Sequence, residues 1–322
     1  MMKKRHPFKK KLYTIFQTEK IKHIQTLYEH IITSPVLITA VVFIFAFIFV
    51  VGLTTKYHYY SDRFRENLMV EAHGVLFDIF MLGMVIVWLQ QKGKSKVEKK
   101  RYQDEIDDFR GWNSEEAARR IRGNIRRLNS YGFTSIDINN CFLRNMDLRN
   151  TKLSGCYAWG VDLSWADLRY SDLSNGNFED ANLAFADISN SEIKNSYFWK
   201  ADMSNCNLKG ANLQNSIMIE TNLSNTDFTK ADLQNVSFAN SNLTNGVFWY
   251  TNLYNTDFDS ASLEGAKMQH ADLSKAIGLD YEELLKVSSL YNAILPDRIK
   301  QKIKSIKPSL LYPPAEDNQI DF

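Results

Sequence analysis

The sequence predicts an all-β solenoid of narrow bore, preceded by a pair of membrane-crossing helices and closed by short helical caps. Three observations predict it. Every fifth residue from Ile138 to Leu273 is apolar without a skipped step, which makes (273 − 138)/5 + 1 = 28 positions, all Leu, Ile, Met or Phe except Ala158. The residue two before each is usually small, as in Ala181-Asn182-Leu183 and Ala231-Asp232-Leu233. Ahead of the repeat, residues 35–53 carry no charge and residues 70–89 form a second, less pure apolar run.

A period of five is neither the strand period of 2 nor the helix period of 3.6. A chain that turns inward at every fifth residue bends the same way each time and winds into a tube. The large apolar residue points to the axis. The position two earlier also faces in, with room only for a small side chain; Ala166, Ala186, Ser191, Ala201, Thr226 and Ala271 occupy it. The other three positions face water and carry Asn, Asp, Ser, Lys and Arg. Coils stack at roughly the inter-strand spacing of about 4.8 Å. Each buried Leu or Phe contributes on the order of 1.5–3 kcal/mol before ordering entropy is subtracted.

These units resemble the pentapeptide-repeat family, whose pattern is A-(D/N)-L-X-X, over residues 136–275. The resemblance implies a right-handed quadrilateral β-helix with four repeats per coil, hence 28/4 = 7 coils and a tube roughly 34 Å long. The phenylalanines fit four walls independently. Phe178, Phe198, Phe228, Phe238, Phe248 and Phe258 all fall on central positions ending in 8, so Phe walls alternate with Leu-type walls. That spacing limits crowding in a narrow core.

A length of 322 residues leaves room for further domains. Charge divides unevenly. Residues 1–135 hold 23 Lys/Arg against 13 Asp/Glu, or +10, and residues 136–275 hold 10 against 17, or −7. Cys141, Cys156 and Cys206 all occupy the small inward slot, on three different walls, and read as buried hydrophobes in a reducing compartment.

The expected organisation is a basic cytoplasmic arm (1–34), a two-helix transmembrane hairpin (35–90), a helical connector and N-terminal cap (91–133), the β-helix (134–278), and a helical C-terminal cap with a flexible tail (279–322). Nineteen residues at about 1.5 Å each nearly match a hydrocarbon core of about 30 Å. Lysines and arginines flank both runs: Lys3, Lys4, Arg5 and Lys9–Lys11 before the first, and Lys92, Lys94, Lys96, Lys99, Lys100 and Arg101 after the second. By the positive-inside rule both flanks stay in the cytoplasm, with the link 54–69 outside. The second run carries a polar stripe, Asn67, Glu71, Gly74 and Asp78, spaced 4, 3 and 4 along one helical face. It suits headgroup contact, a helix-packing or oligomer seam, or an ion path.

In the connector, Tyr102, Ile106 and Phe109 line one side of a helix over 96–110, and Gly111-Trp112 breaks it. A second helix is expected to start at Asn113 with Glu116 at capping-box spacing, and to cover the first coil with Ala117, Ile121, Ile125 and Leu128. Arg119, Arg120, Arg122, Arg126 and Arg127 decorate its outer surface as a candidate anion- or lipid-facing cluster. The stripe and this capped helix are similar to a group of membrane-anchored bacterial pentapeptide-repeat proteins, in many of which the position of Asp78 is apolar or Thr. Beyond the repeats, Asp280 and Glu283 have capping-box spacing again, and Ile299, Ile303 and Ile306 share one face of a basic helix.

Chemistry is sparse. No H-x-x-x-H, C-x-x-C, G-x-S-x-G or phosphate-binding glycine loop occurs. The recurring aspartates fill the slot before the central residue, so the repeat itself accounts for them. The sequence therefore predicts no enzyme, no cofactor, no metal and no small-molecule substrate. It predicts a docking wall: Tyr157, Trp159, Tyr197, Trp199, Ile217 and Ile219 flank central positions of a single wall. Trp165 with Phe185, and Trp249 with Tyr250 and Tyr254, make smaller aromatic groups. The expected function is a scaffold in the bacterial inner membrane, with its N-terminus and β-helix in the cytoplasm. Its expected partners are the lipid bilayer and a protein partner or a second copy, not nucleic acid. The resemblance implies one alternative, a DNA mimic that protects a type II topoisomerase. The polar stripe suggests another, a small channel or membrane effector with the β-helix as sensor.

Overall fold

The structure is a computed structural model that describes residues 62–313 together with 41, 43–45 and 48, with side chains given at those five positions and from Glu71 onward except at 72, 73 and 76. The chain divides into two compact units, Met1–Val97 and Glu98–Phe322, and the division falls within the first described helix. Helix α1 (Asp62–Asp108) is continuous through the second apolar run, the basic stretch and the expected connector. Lys, Gln, Glu and Arg dominate residues 90–105 and no proline interrupts them, so the isolated Gly93 does not stop the helix, which ends at Asp108 just ahead of Gly111. The expected extracellular link 54–69 is thus helical from Asp62, and the rest of that link lies outside the described residues. So do the basic arm 1–34 and most of the first apolar run. Among the described residues no helix is long and apolar enough to cross a membrane.

The tube follows. Parallel bridges join residues 20 apart, from Asp137↔Tyr157 through Asp257↔Ile277. Four repeats therefore close one coil, and the section has four walls. All 28 central residues are buried, none more than 2 % exposed. We number the walls by their central residues. Wall 1 carries residues 138, 158, 178, 198, 218, 238 and 258, and walls 2, 3 and 4 begin at 143, 148 and 153. Phenylalanines occur on walls 1 and 3, which face each other. Phe178 stacks on Phe198 and Phe228 on Phe248, with ring centroids 5.0 and 4.9 Å apart. Phe228 meets Phe238 edge-on across the axis at 5.8 Å. Alternating Phe walls therefore fill the bore from two sides.

The small inward slot also settles buried polar groups. Ser171 Oγ donates to the carbonyl of Leu148 at 2.9 Å, Ser191 to Leu168 at 2.8 Å and Thr226 to Met203 at 2.9 Å. An unpaired buried hydroxyl would be costly, so Ser and Thr fit here because the previous coil offers an acceptor. Burial pushes the thiols of Cys141 and Cys156 up to about 12, and that of Cys206 upward too, as suits packed side chains. The coil corners from Asn140 to His270 lie in the left-handed region, with φ of 53–62° at residues such as Asn140, Asn215 and Trp165. After glycine, Asn adopts this region most readily, which explains its dominance there. At the corner after wall 4, Asn215, Asn235 and Asn255 each donate to the Asn one coil back, at 3.3, 3.0 and 2.9 Å.

Both ends of the tube are covered. Helix α2 (Glu115–Ser130) buries Ala117, Ile121, Ile125 and Leu128, as its spacing predicts, and Ala118 and Asn124 with them. Its cap is Ser114, not Asn113: the Ser114 hydroxyl accepts from the N–H of Ala117, which moves the start by one residue and leaves Glu116 free of a capping role. At the other end the ladder continues past residue 278. Past the short helix α3 (Tyr281–Leu284), which lengthens the coil by two residues, bridges resume as Lys267↔Ser289 and Asp272↔Ile294. Asp280 caps α3, but Glu283 does not complete a capping box. Its carboxylate takes the N–H of Leu263 at 3.4 Å, where the insertion has displaced the next coil's carbonyl. Helix α4 (Asp297–Ile306) buries Ile303, leaves Ile306 exposed, and leads to a 3-10 turn at Pro308–Leu311. Leu310 accepts from the N–H of Leu290 at 2.8 Å, closing the last coil.

Candidate functional surface

The backbone of wall 1 sets its outer face. Positions flanking each central residue point outward, and successive coils stack them in rows. One row runs Tyr157, Asn177, Tyr197, Ile217, joined by bridges. The parallel row runs Trp159, Glu179, Trp199, Ile219. Tyr157, Trp159, Tyr197 and Trp199 are 57, 44, 53 and 39 % exposed, whereas Ile217 and Ile219 are half-buried. The predicted group thus shares one wall, with its exposed part in the four rings. The Trp159 indole N–H donates to Asp180 at 3.2 Å. The Lys200 ammonium sits 4.2 Å from the centroid of the Trp199 ring, with Glu220 3.9 Å away. Counting each corner with the wall before it, wall 1 holds Lys200 against Asp137, Glu179, Asp180, Glu220, Asp257 and Asp259, or 1 − 6 = −5. It therefore carries most of the tube's −7. Chain spacing alone did not reveal this concentration; sorting charges by residue number modulo 20 would have.

Wall 3 differs. Arg149 is bonded to Asp147 at 2.9 Å and lies 3.4 Å from Asp167; Arg169 pairs with Asp167 at 2.6 Å and lies 3.8 Å from Asp187. Arg126 of α2 joins the ladder 3.6 Å from Asp147. The Arg149 hydrogen bond holds the Asp147 carboxyl well below the usual carboxylate range, and the Arg169 hydrogen bond lowers Asp167.

The arginines of α2 are largely engaged within the chain. Arg119 pairs with Glu115 and Arg120 with Glu116, both four residues apart. Arg127 donates to Asn124 at 2.8 Å and lies over the Tyr102 ring. Arg122 is half-buried, with its Nε buried and without a hydrogen-bond partner. Arg119, Arg120 and Arg127 also line a hollow of about 390 Å³ with Glu105 and Glu116, so both charge signs face it. The i, i+4 glutamates were visible in the sequence and were the signal for this pairing.

Of the polar stripe, Glu71, Gly74 and Asp78 are exposed, and the side chain of Asn67 lies outside the described residues. Phe80, two residues or about 200° around α1 from Asp78, stacks on Phe43 at 3.9 Å. The stripe therefore faces away from that contact. Trp165 and Phe185 stack at 4.2 Å on the corner after wall 2, and Tyr250 stacks on His270 at 4.5 Å on the corner after wall 3. Among the described residues no cluster of His, Cys, Asp or Glu is arranged to hold a metal ion.

With four walls, a five-residue beat and a continuous parallel ladder, residues 133–277 are a pentapeptide-repeat domain. The family model for pentapeptide repeats matches residues 133–169, 162–200, 206–245 and 247–277. The right-handed quadrilateral β-helix of that family is the fold of this segment. No curated protein matches the sequence. Solved structures similar to the tube include a trypsin-treated variant of QnrB1, a plasmid-mediated fluoroquinolone resistance protein, at 21% identity over 54% of this chain and 88% of that one, TM-score 0.33. HetL of Nostoc sp. strain PCC 7120, involved in heterocyst differentiation regulation, is 23% identical over 54% and 90%, TM-score 0.21. A pentapeptide repeat protein of the Arabidopsis thaliana thylakoid lumen is 20% identical over 45% and 79%, TM-score 0.25. At these scores the likenesses carry no argument about function.

Proposed function

We propose that this chain is a membrane-anchored scaffold whose wall 1 docks a protein partner on the cytoplasmic side of a bacterial inner membrane. One observation carries the docking half: four Tyr and Trp rings stand exposed on a single wall, beside Glu179 and Asp180, which have no basic partner among the described residues. Rings in such a setting are the residues that dominate binding at protein interfaces. If they only shielded the ladder beneath, their removal would lower stability. Expressed full-length with Trp159→Ser and Trp199→Ser, the chain should keep its melting temperature within about 2 °C and lose its partner in affinity capture from native membranes. Unchanged capture contradicts the docking wall.

The anchor is supported by the sequence of the two apolar runs and by the exposed apolar side chains of α1. Phe77, Ile79, Leu82, Val85, Ile86, Trp88 and Leu89 are all exposed, a continuous apolar surface that water does not favour. The Phe43–Phe80 contact suits a hairpin of two spans. The flanking lysines and arginines favour a cytoplasmic tube. Resistance to alkaline carbonate extraction tests the anchor; release of the full chain into the supernatant contradicts it.

A second reading, imitation of duplex charge toward a type II topoisomerase, has the concentrated −5 of wall 1 in its favour. The four aromatic rings set among those charges count against it. Inhibition of gyrase supercoiling by the full chain would favour this second reading.

A further inference from the structure

Two stations on wall 1 share one plan. At Trp199, the next residue, Lys200, lays its ammonium on the indole face, and Glu220 stands at the same corner one coil on. The wall thus holds a cation between an aromatic ring and a carboxylate, and the chain itself supplies that cation. Two coils earlier the same three positions are Trp159, Gly160 and Asp180. Ring and carboxylate are kept, and the lysine is replaced by glycine. Gly160 lies at φ +60°, and a Cβ there would meet Asn140 Oδ1 at 2.6 Å. The hydrogen bond to Asp180 fixes the Trp159 ring. Glu179 lies in the row between Trp159 and Trp199, and its side chain makes no hydrogen bond or ion pair among the described residues.

We propose that this station binds an arginine side chain on a basic segment of the partner protein. The proposal rests on the docking wall and names what the wall recognises. A guanidinium is planar and always charged, so it can stack on Trp159 while its N–H groups reach the Glu179 and Asp180 carboxylates. An ammonium can take the ring face but cannot present that fork. The wall's net charge, −5 from its own residues and −4 with Arg110, which pairs with Asp137 at 3.0 Å, repels phosphate chains and attracts a basic peptide.

The test uses the full-length protein titrated with fluorescein-labelled nona-arginine and with nona-lysine of the same charge. Nona-arginine is expected to bind about tenfold more tightly than nona-lysine. Gly160→Lys, which gives Trp159 the cation its counterpart already has, is expected to weaken nona-arginine about tenfold, and so is Glu179→Gln. Lys200→Gly, permitted by the left-handed corner, frees the second ring and is expected to strengthen binding. Because Gly160→Lys must displace the Asn140 side chain, Glu179→Gln serves as the variant that leaves the corner untouched. Equal binding of the two peptides, or arginine binding indifferent to both Gly160→Lys and Glu179→Gln, overturns the proposal. If partner capture is lost in the Trp159→Ser, Trp199→Ser chain but is not competed by nona-arginine, the docking wall stands and the arginine station falls.

Discussion

On wall 3, Asp147, Asp167 and Asp187 all lie within 4 Å of an arginine of their own wall. On wall 1, which faces it across the same core, Glu179 and Asp180 have no basic partner among the described residues and stand among exposed rings. Both walls are built on the same bridge ladder and contribute phenylalanines to the same axis. The difference lies wholly in the outward rows. Inward positions must match their neighbours coil by coil, so they vary little. Outward positions carry no such packing demand, and one scaffold can hold a self-neutralised face opposite a face left for a partner.

The largest expected effect removes what the two walls share. Phe238→Ala deletes a ring of wall 1 that meets Phe258 on its own wall and Phe228 on wall 3. It should cost about 3–5 kcal/mol, and hydrogen exchange should show both walls losing protection together. Protection lost on wall 1 alone would mean the walls do not share a core. A smaller effect is expected at the corner leading into wall 1. Asn215→Val places a β-branched residue at φ 60° and breaks two side-chain bonds of the Asn ladder. It should cost about 1–3 kcal/mol in denaturant unfolding, whereas Asn215→Gly should cost less.

The smallest effect belongs to wall 3. Its arginine–aspartate pairs are partly exposed and screened, so Arg149→Gln with Arg169→Gln should lower stability by less than about 1 kcal/mol. The pH dependence is the sharper readout. Asp147 and Asp167 titrate lower folded than unfolded, where an aspartate titrates at about 3.9. Their stabilisation is complete above about pH 4 and is lost as acid takes the pH down through the folded values. Thermal melts of the parent chain should therefore fall more steeply below pH 4 than those of the double variant. Parallel acid slopes would show that the ladder contributes nothing.

The tube from Ile138 to Leu273 was legible because each apolar residue at the five-residue beat has a single inward role, and all 28 are buried. The wall of Tyr157, Trp159, Tyr197 and Trp199 was legible for the same reason, since position modulo 20 fixes the wall. The last coil was not, because the two-residue insertion at α3 shifts the beat, and Ser289 and Ile294 pair at a spacing of 22. The capping boxes at Asn113 and Asp280 misled by local resemblance. Ser114 was the better-placed cap, and Glu283 answered a tertiary need of Leu263 that no local pattern encodes. The pairing of Trp199 with Lys200, and its counterpart at Trp159 and Gly160, needed both the coil stacking and the side-chain geometry.

Site-directed photocrosslinking in living cells tests the inequality of the two walls most directly. A benzoylphenylalanine is placed in the full-length chain at Ile219 on wall 1 or at Thr229 on wall 3, half-buried outward positions on opposite walls. The account predicts a discrete protein adduct from position 219 and none from position 229. Adducts from position 229 alone, or equally from both, would contradict it.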